Sequence, residues 1–89
     1  MYQILLVEDE KLVRDFISEY FNKREIKVIE ATNGYEALNL INEDISLILL
    51  DIMMPGIDGY EVCKQIRNSS NLPIIFISAL SLDDNQLLA

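Results

Sequence analysis

Three carboxylates stand where short apolar runs end. Asp51 closes Leu47-Ile48-Leu49-Leu50, and Glu8 and Asp9 follow Ile4-Leu5-Leu6-Val7. If the two runs are neighbouring parallel strands, all three acids meet at the carboxyl edge of one sheet, where open α/β sheets place their ligands. Carboxylates crowded together repel one another, so the cluster calls for a cation and should raise the pKa of at least one member. Magnesium suits the set: a hard ion, content with a few carboxylates, a carbonyl and waters. Either acid of the Glu8-Asp9 pair, taken singly, is also explained by the dipole of the following helix, worth roughly 0.3–1 kcal/mol. That explanation weakens for two acids beside a third. Asp51 runs into Ile52-Met53-Met54-Pro55-Gly56, a turn-forming loop, which argues against a role in helix capping.

The elements that must position these acids alternate regularly. Gln3 to Val7 reads as a buried strand. Lys11 to Arg24 reads as a helix, with Leu12, Phe16, Ile17, Tyr20 and Phe21 at helical spacing. Ile26 to Ala31 is a second strand, and Gly34 to Glu43 a helix burying Ala37, Leu38 and Ile41. Leu47 to Asp51 is the third strand. Gly59 to Asn68 is a helix with Val62, Cys63 and Ile66 on one face. Ile74 to Ser78 is a fourth strand, opened by Pro73 where a missing N–H is tolerated. Strand–helix alternation with apolar strands implies a parallel sheet covered on both faces. Asn33-Gly34-Tyr35-Glu36 and Asp58-Gly59-Tyr60-Glu61 look alike, and each opens a helix. Shared capping boxes explain the likeness better than a duplicated ligand site.

Composition narrows the chemistry. Eighty-nine residues, 51% of them apolar, form one small domain with a modest core. The chain has no histidine, which excludes imidazole catalysis and histidine metal ligation. Its one cysteine, Cys63, excludes an internal disulfide and a cysteine-based zinc cluster. A net charge of -8 argues against nucleic-acid binding by this segment. The apolar runs are too short to span a membrane, and the amino terminus has no basic segment leading into a signal-like run, so a cytoplasmic protein is expected.

Ser78 and Ala79 add to the acid cluster. They lie at the carboxyl end of the fourth strand, which right-handed crossovers place beside the third. A hydroxyl and a free backbone N–H there could hold an anion's oxygens; alone, Ser78 is better explained as the start of a loop. Together with acids and a metal, they favour phosphoryl chemistry, in which an aspartate carboxylate attacks phosphorus in line.

These residues resemble the receiver domain of bacterial two-component response regulators. The match comprises Leu5-Leu6-Val7-Glu8-Asp9, Ala31 to Leu38, Leu49 to Gly59, and Pro73 to Ala79, in the family's order over nearly the whole chain. The resemblance implies a flavodoxin-like sheet of order 2-1-3-4-5 with helices on both faces. It implies that Asp51 accepts phosphate from a histidine kinase, that Asp9 binds magnesium directly, and that Glu8 acts through water. It gives Met53 the role of a metal-binding backbone carbonyl, Ser78 that of a switch hydroxyl, and the Ala79 N–H that of a phosphoryl donor. Pro55 and Gly56 would shape the loop beyond Asp51. The expected product is a signalling phosphoprotein with weak self-catalysed chemistry rather than an enzyme.

Receivers usually continue through a fourth helix, a fifth strand and a fifth helix, whereas this sequence stops at Ala89. The expected sheet is therefore 2-1-3-4, in a receiver domain over residues 1–89 without the fifth-strand lysine that pairs with the phosphoryl oxygen. Two consequences are expected. Ile74-Ile75-Phe76-Ile77 becomes an apolar edge inviting self-association, and transfer slows. A phosphorylation-incompetent interaction module is the main alternative. A small metal-dependent phosphohydrolase ranks last, because no further acid or base is placed to activate water.

Overall fold

A computed structural model describes residues 2–52, 54 and 56–77. Four parallel strands, β1 (Gln3–Val7), β2 (Lys27–Ala31), β3 (Leu47–Asp51) and β4 (Ile74–Ile77), form one sheet of order β2-β1-β3-β4. The helices α1 (Lys11–Asn22), α2 (Gly34–Leu40) and α3 (Gly59–Arg67) connect them. The expected sheet order is present among the described residues. Ser78, expected as the last residue of the fourth strand, lies outside them.

Alternation along the strands sorts the core into two layers. Leu5, Val7, Ile48 and Leu50 face α2 and α3, meeting Ala37, Val62 and Ile66. Ile4, Leu6 and Leu49 face the other way, toward Ile17 and Phe21 of α1. Both faces of β1 and β3 are thus dry, which is why these strands read as continuous apolar runs rather than alternating ones. Each fully buried aliphatic side chain contributes roughly 1.5–3 kcal/mol relative to its exposed state.

The helices are shorter than their sequence pattern suggested. α1 ends at Asn22 rather than Arg24, and Glu25 in the turn that follows takes a positive φ of 61°. α2 stops at Leu40 rather than Glu43, because Ile41 turns to an extended ψ of 131° and packs on the core from outside the helix. Only part of the helical apolar spacing in α1 marks the buried face. Ile17 and Phe21 pack on the sheet, whereas Leu12, Phe16 and Tyr20 are exposed at 81%, 66% and 48%. Those three occupy a neighbouring stripe four residues apart.

Both expected capping boxes form by halves. The Glu36 N–H donates to Asn33 Oδ1 at 2.8 Å, and the Glu61 N–H donates to Asp58 Oδ1 at 2.9 Å. The return arms differ from the expectation. Glu36 Oε1 accepts from the Thr32 N–H and hydroxyl, one residue before the cap, and these bonds hold its carboxyl below the ordinary range. Glu61 Oε2 accepts from Gln65 instead.

The start of α3 lies directly on the end of β3. The Gly59 N–H donates to the Ile52 carbonyl at 3.2 Å, closing the loop that leaves Asp51. A Cβ at Gly59 would sit 2.6 Å from the Asp51 carbonyl oxygen and 2.8 Å from Ile52 Cα. Both are backbone atoms that cannot swing aside. Gly59→Ala is therefore expected to destabilise the fold by about 1–3 kcal/mol and to shift the Asp51 amide resonance. Chemical denaturation and an amide NMR spectrum check both; an unchanged denaturation midpoint would contradict the close approach.

Candidate functional site

Strand register brings the acids together. Leu6 pairs with Leu49 and Val7 with Leu50, so continuing the ladder by one residue sets Glu8 beside Asp51. Both continue the face carrying Leu6 and Leu49, the face that α1 covers. Asp9 follows in the turn to α1. One carboxylate oxygen from each of Glu8, Asp9 and Asp51 lies within 4.8 Å of the others. Glu8 and Asp51 are buried, retaining 0% and 1% exposure, and Asp9 is exposed.

The backbone around Glu8 is fixed at several points. Its N–H donates to the Ala31 carbonyl at 3.0 Å, extending the pairing of β1 with β2. Its Oε2 accepts from the Glu10 N–H at 3.0 Å, in the turn that leads into α1. Glu10 stands at the N-cap of α1 without a capping side-chain bond. The Glu8 carbonyl accepts from Arg14 Nη1 at 2.9 Å. Glu8 Oε1 is buried and finds no hydrogen-bond partner among the described residues. A buried acceptor left without a donor costs about 1–3 kcal/mol, more when charged.

Burial pushes the Glu8 carboxyl up to about 7. The hydrogen bond from the Glu10 N–H opposes the shift, while the charge of Asp51 and the contacts with Asp9 add to it. This is the raised carboxyl expected of a crowded cluster, with desolvation rather than repulsion as the larger cause.

Of the other expected site residues, Met53, Pro55, Ser78 and Ala79 lie outside the described residues. Gly56 has a φ of 82°, the left-handed conformation that favours glycine, and so forms the expected turn beyond Asp51. Arg14 is the site-adjacent residue that the sequence reading missed. Its signal was available. It sits three, four and seven residues before Ile17, Ser18 and Phe21, so a charged side chain occupies the stripe that α1 turns toward the sheet.

The family model described as the response regulator receiver domain matches residues 4–88. The chain belongs to the response regulator receiver family. It is 46% identical over 80 residues to the uncharacterized transcriptional regulatory protein YrkP of Bacillus subtilis, covering 90% of this chain and 35% of that protein. It is 34% identical over 90 residues to the response regulator SaeR of Staphylococcus aureus, covering all of this chain and 40% of SaeR. The receiver thus spans little more than a third of the curated relatives it matches. Among solved structures it resembles TrrA of Thermotoga maritima in complex with Mg2+-BeF, at a TM-score of 0.83 and 36% identity, covering 98% of this chain and 77% of that one. TrrA in complex with the histidine kinase ThkA gives a TM-score of 0.81 at 37% identity, covering 89% and 70%. Among the described residues of this receiver, no helix is long and apolar enough to cross a membrane.

The Glu8 shift sets a pH dependence whose sign is fixed. Between the ordinary value of 4.5 and about 7, the folded receiver holds a proton on Glu8 that the unfolded chain has released. Stability from this group is full below the lower value and is lost as pH rises through the upper one. In chelator, the melting temperature is expected to fall over this window, and Glu8→Gln is expected to flatten the fall. Thermal melts at intervals of pH check it; an equal slope in both proteins would refute the assignment.

Proposed function

We propose that this receiver accepts a phosphoryl group on Asp51 from the phosphohistidine of a histidine kinase, with magnesium held by Glu8, Asp9 and Asp51. The observation that carries the reading is the buried, unpartnered Glu8 Oε1 within a three-carboxylate cluster. No donor among the described residues satisfies that oxygen, and a hydrated cation would. One carboxylate oxygen from each of the three acids lies within 4.8 Å of the others, so Glu8, Asp9 and Asp51 together would hold a hydrated magnesium ion. When bound, magnesium neutralises charge on the phosphoryl oxygens.

The rest of the chemistry belongs to the chain. One Asp51 oxygen attacks phosphorus in line and a new P–O bond forms. The donor's P–N bond, or the P–O bond of a small acyl phosphate, breaks, and its electron pair leaves with the imidazole or carboxylate. Burial of Asp51 strips water from the nucleophile. By the family resemblance, the Met53 carbonyl completes the metal shell, the Ser78 hydroxyl moves toward the product, and the Ala79 N–H donates to a phosphoryl oxygen. TrrA's complexes with Mg2+-BeF and with ThkA support the metal and the kinase. The receiver acts as a phosphoacceptor with weak self-catalysed transfer, in the cytoplasm where such kinases present their phosphohistidine.

Incubation with a small acyl phosphate and magnesium, followed by intact-mass measurement, is expected to show the gain of one phosphoryl group. Asp51→Asn abolishes it, and Asp9→Asn removes most magnesium binding. Labelling that survives Asp51→Asn would refute the site. A folded, magnesium-binding chain that never labels would instead favour the interaction-module reading.

Self-association through β4 is a second part of the proposal. Among the described residues β4 is paired on one side only, and Ile75 and Phe76 are exposed at 51% and 37%. Apolar strand edges invite pairing with another chain. Sedimentation across a concentration series is expected to show a dimer; a folded monomer at high concentration would refute it.

A further inference from the structure

The peptide unit between Glu8 and Asp9 carries the backbone from which both carboxylates leave, just past the last paired residue of β1. Its plane is set by the Glu8 carbonyl, which lies beyond β1 and outside the strand ladder. Arg14 takes that carbonyl through Nη1 at 2.9 Å. The same guanidinium reaches Glu30 of β2, with Nε 3.3 Å from Oε1. Glu30 is held in turn, because Ser18 Oγ donates to its Oε2 at 2.7 Å. The chain of contacts runs from β1 through α1 to β2 and returns to α1. It is sheltered at the end that matters: the Arg14 side chain is 13% exposed, and Ser18 is buried.

We propose that Arg14 is a positioning residue for the metal centre, fixing the Glu8–Asp9 peptide plane so that both carboxylates aim at one cation. This inference rests on the proposed magnesium site. The arginine fork is suited to the task, since its donors leave a rigid plane in different directions and can serve a carbonyl and a carboxylate together. A lysine has a single ammonium head at the end of a flexible stem. Groups that orient metal ligands from behind typically change metal affinity by about 10–100-fold when removed. The pairing with Glu30 also occupies the guanidinium, so it is less available to the carboxylates as a substitute cation.

The test compares magnesium affinity, followed by amide NMR titration, in the wild-type chain and in Arg14→Ala, Arg14→Lys and Glu30→Gln. Melting temperatures in chelator and the rate of Asp51 labelling against magnesium concentration accompany each variant. Arg14→Ala is expected to weaken magnesium binding about tenfold, with the maximal labelling rate regained at saturating magnesium. Arg14→Lys should recover only part of the affinity, and Glu30→Gln should weaken it by a smaller factor. If Arg14→Ala fails to fold, Arg14→Lys and Glu30→Gln decide: wild-type affinity in both overturns the inference. So does an Arg14→Ala variant that melts lower yet binds magnesium as tightly as wild type, which would make the residue merely structural. A wild-type chain that binds no magnesium overturns the functional reading and this inference with it.

Discussion

The structure is organised around two carboxylates buried side by side. Parallel register carries Glu8 to the side of Asp51, and both side chains are buried. Two adjacent buried carboxylates are costly whether desolvation or mutual repulsion is counted. The fold tolerates them because the strands that end there are apolar on both faces. Leu5, Leu6, Val7, Ile48 and Leu50 are all essentially inaccessible, and their burial opposes the cost at the sheet's edge. Burial is the larger reason that the Glu8 carboxyl is pushed up, and the charge of Asp51 adds to it.

Much of this was legible in the sequence, because it depends on period and order. Apolar runs ending in acids located the strand ends, and strand–helix alternation gave the parallel sheet. Asn33 and Asp58 marked two helix starts through a bond that any helix amino terminus requires. What escaped was information held in distances across the fold. Nothing local tells whether Glu36 bonds back to residue 33 or to Thr32. The spacing of Leu12, Phe16 and Tyr20 is helical, yet only the sheet's position reveals that Ile17 and Phe21 take the buried side. Arg14 could be noticed on that buried stripe, but its partners come from the end of β1 and from β2, which only the folded turn brings within reach.

The two ends of the Asp51 segment are held by different means. On the β1 side, hydrogen bonds dominate: Ala31, Glu10 and Arg14 together occupy the Glu8 N–H, carboxylate and carbonyl. On the α3 side, steric closeness dominates, with Gly59 letting a helix start against the Asp51–Ile52 peptide. Hydrogen bonds fix direction, and close packing fixes distance. A nucleophile that must meet phosphorus in line needs both, since an error of about 1 Å in a reacting geometry can cost around a hundredfold in rate.

Charge balance at this edge follows from the same geometry. The chain carries 15 acidic residues against 7 basic ones, so a cation drawn from the protein itself is scarce. Arg14 stands near the cluster, and an unpaired guanidinium there would be free to bind the carboxylates and exclude a metal. Glu30 instead takes the Nε side of the fork at 3.3 Å, and Ser18 donates to the other Glu30 oxygen. Arg14 and Glu30 together add no net charge beside the acids. They supply direction and leave the cluster's negative charge uncompensated, which is the condition under which a hydrated divalent ion can compete for the site.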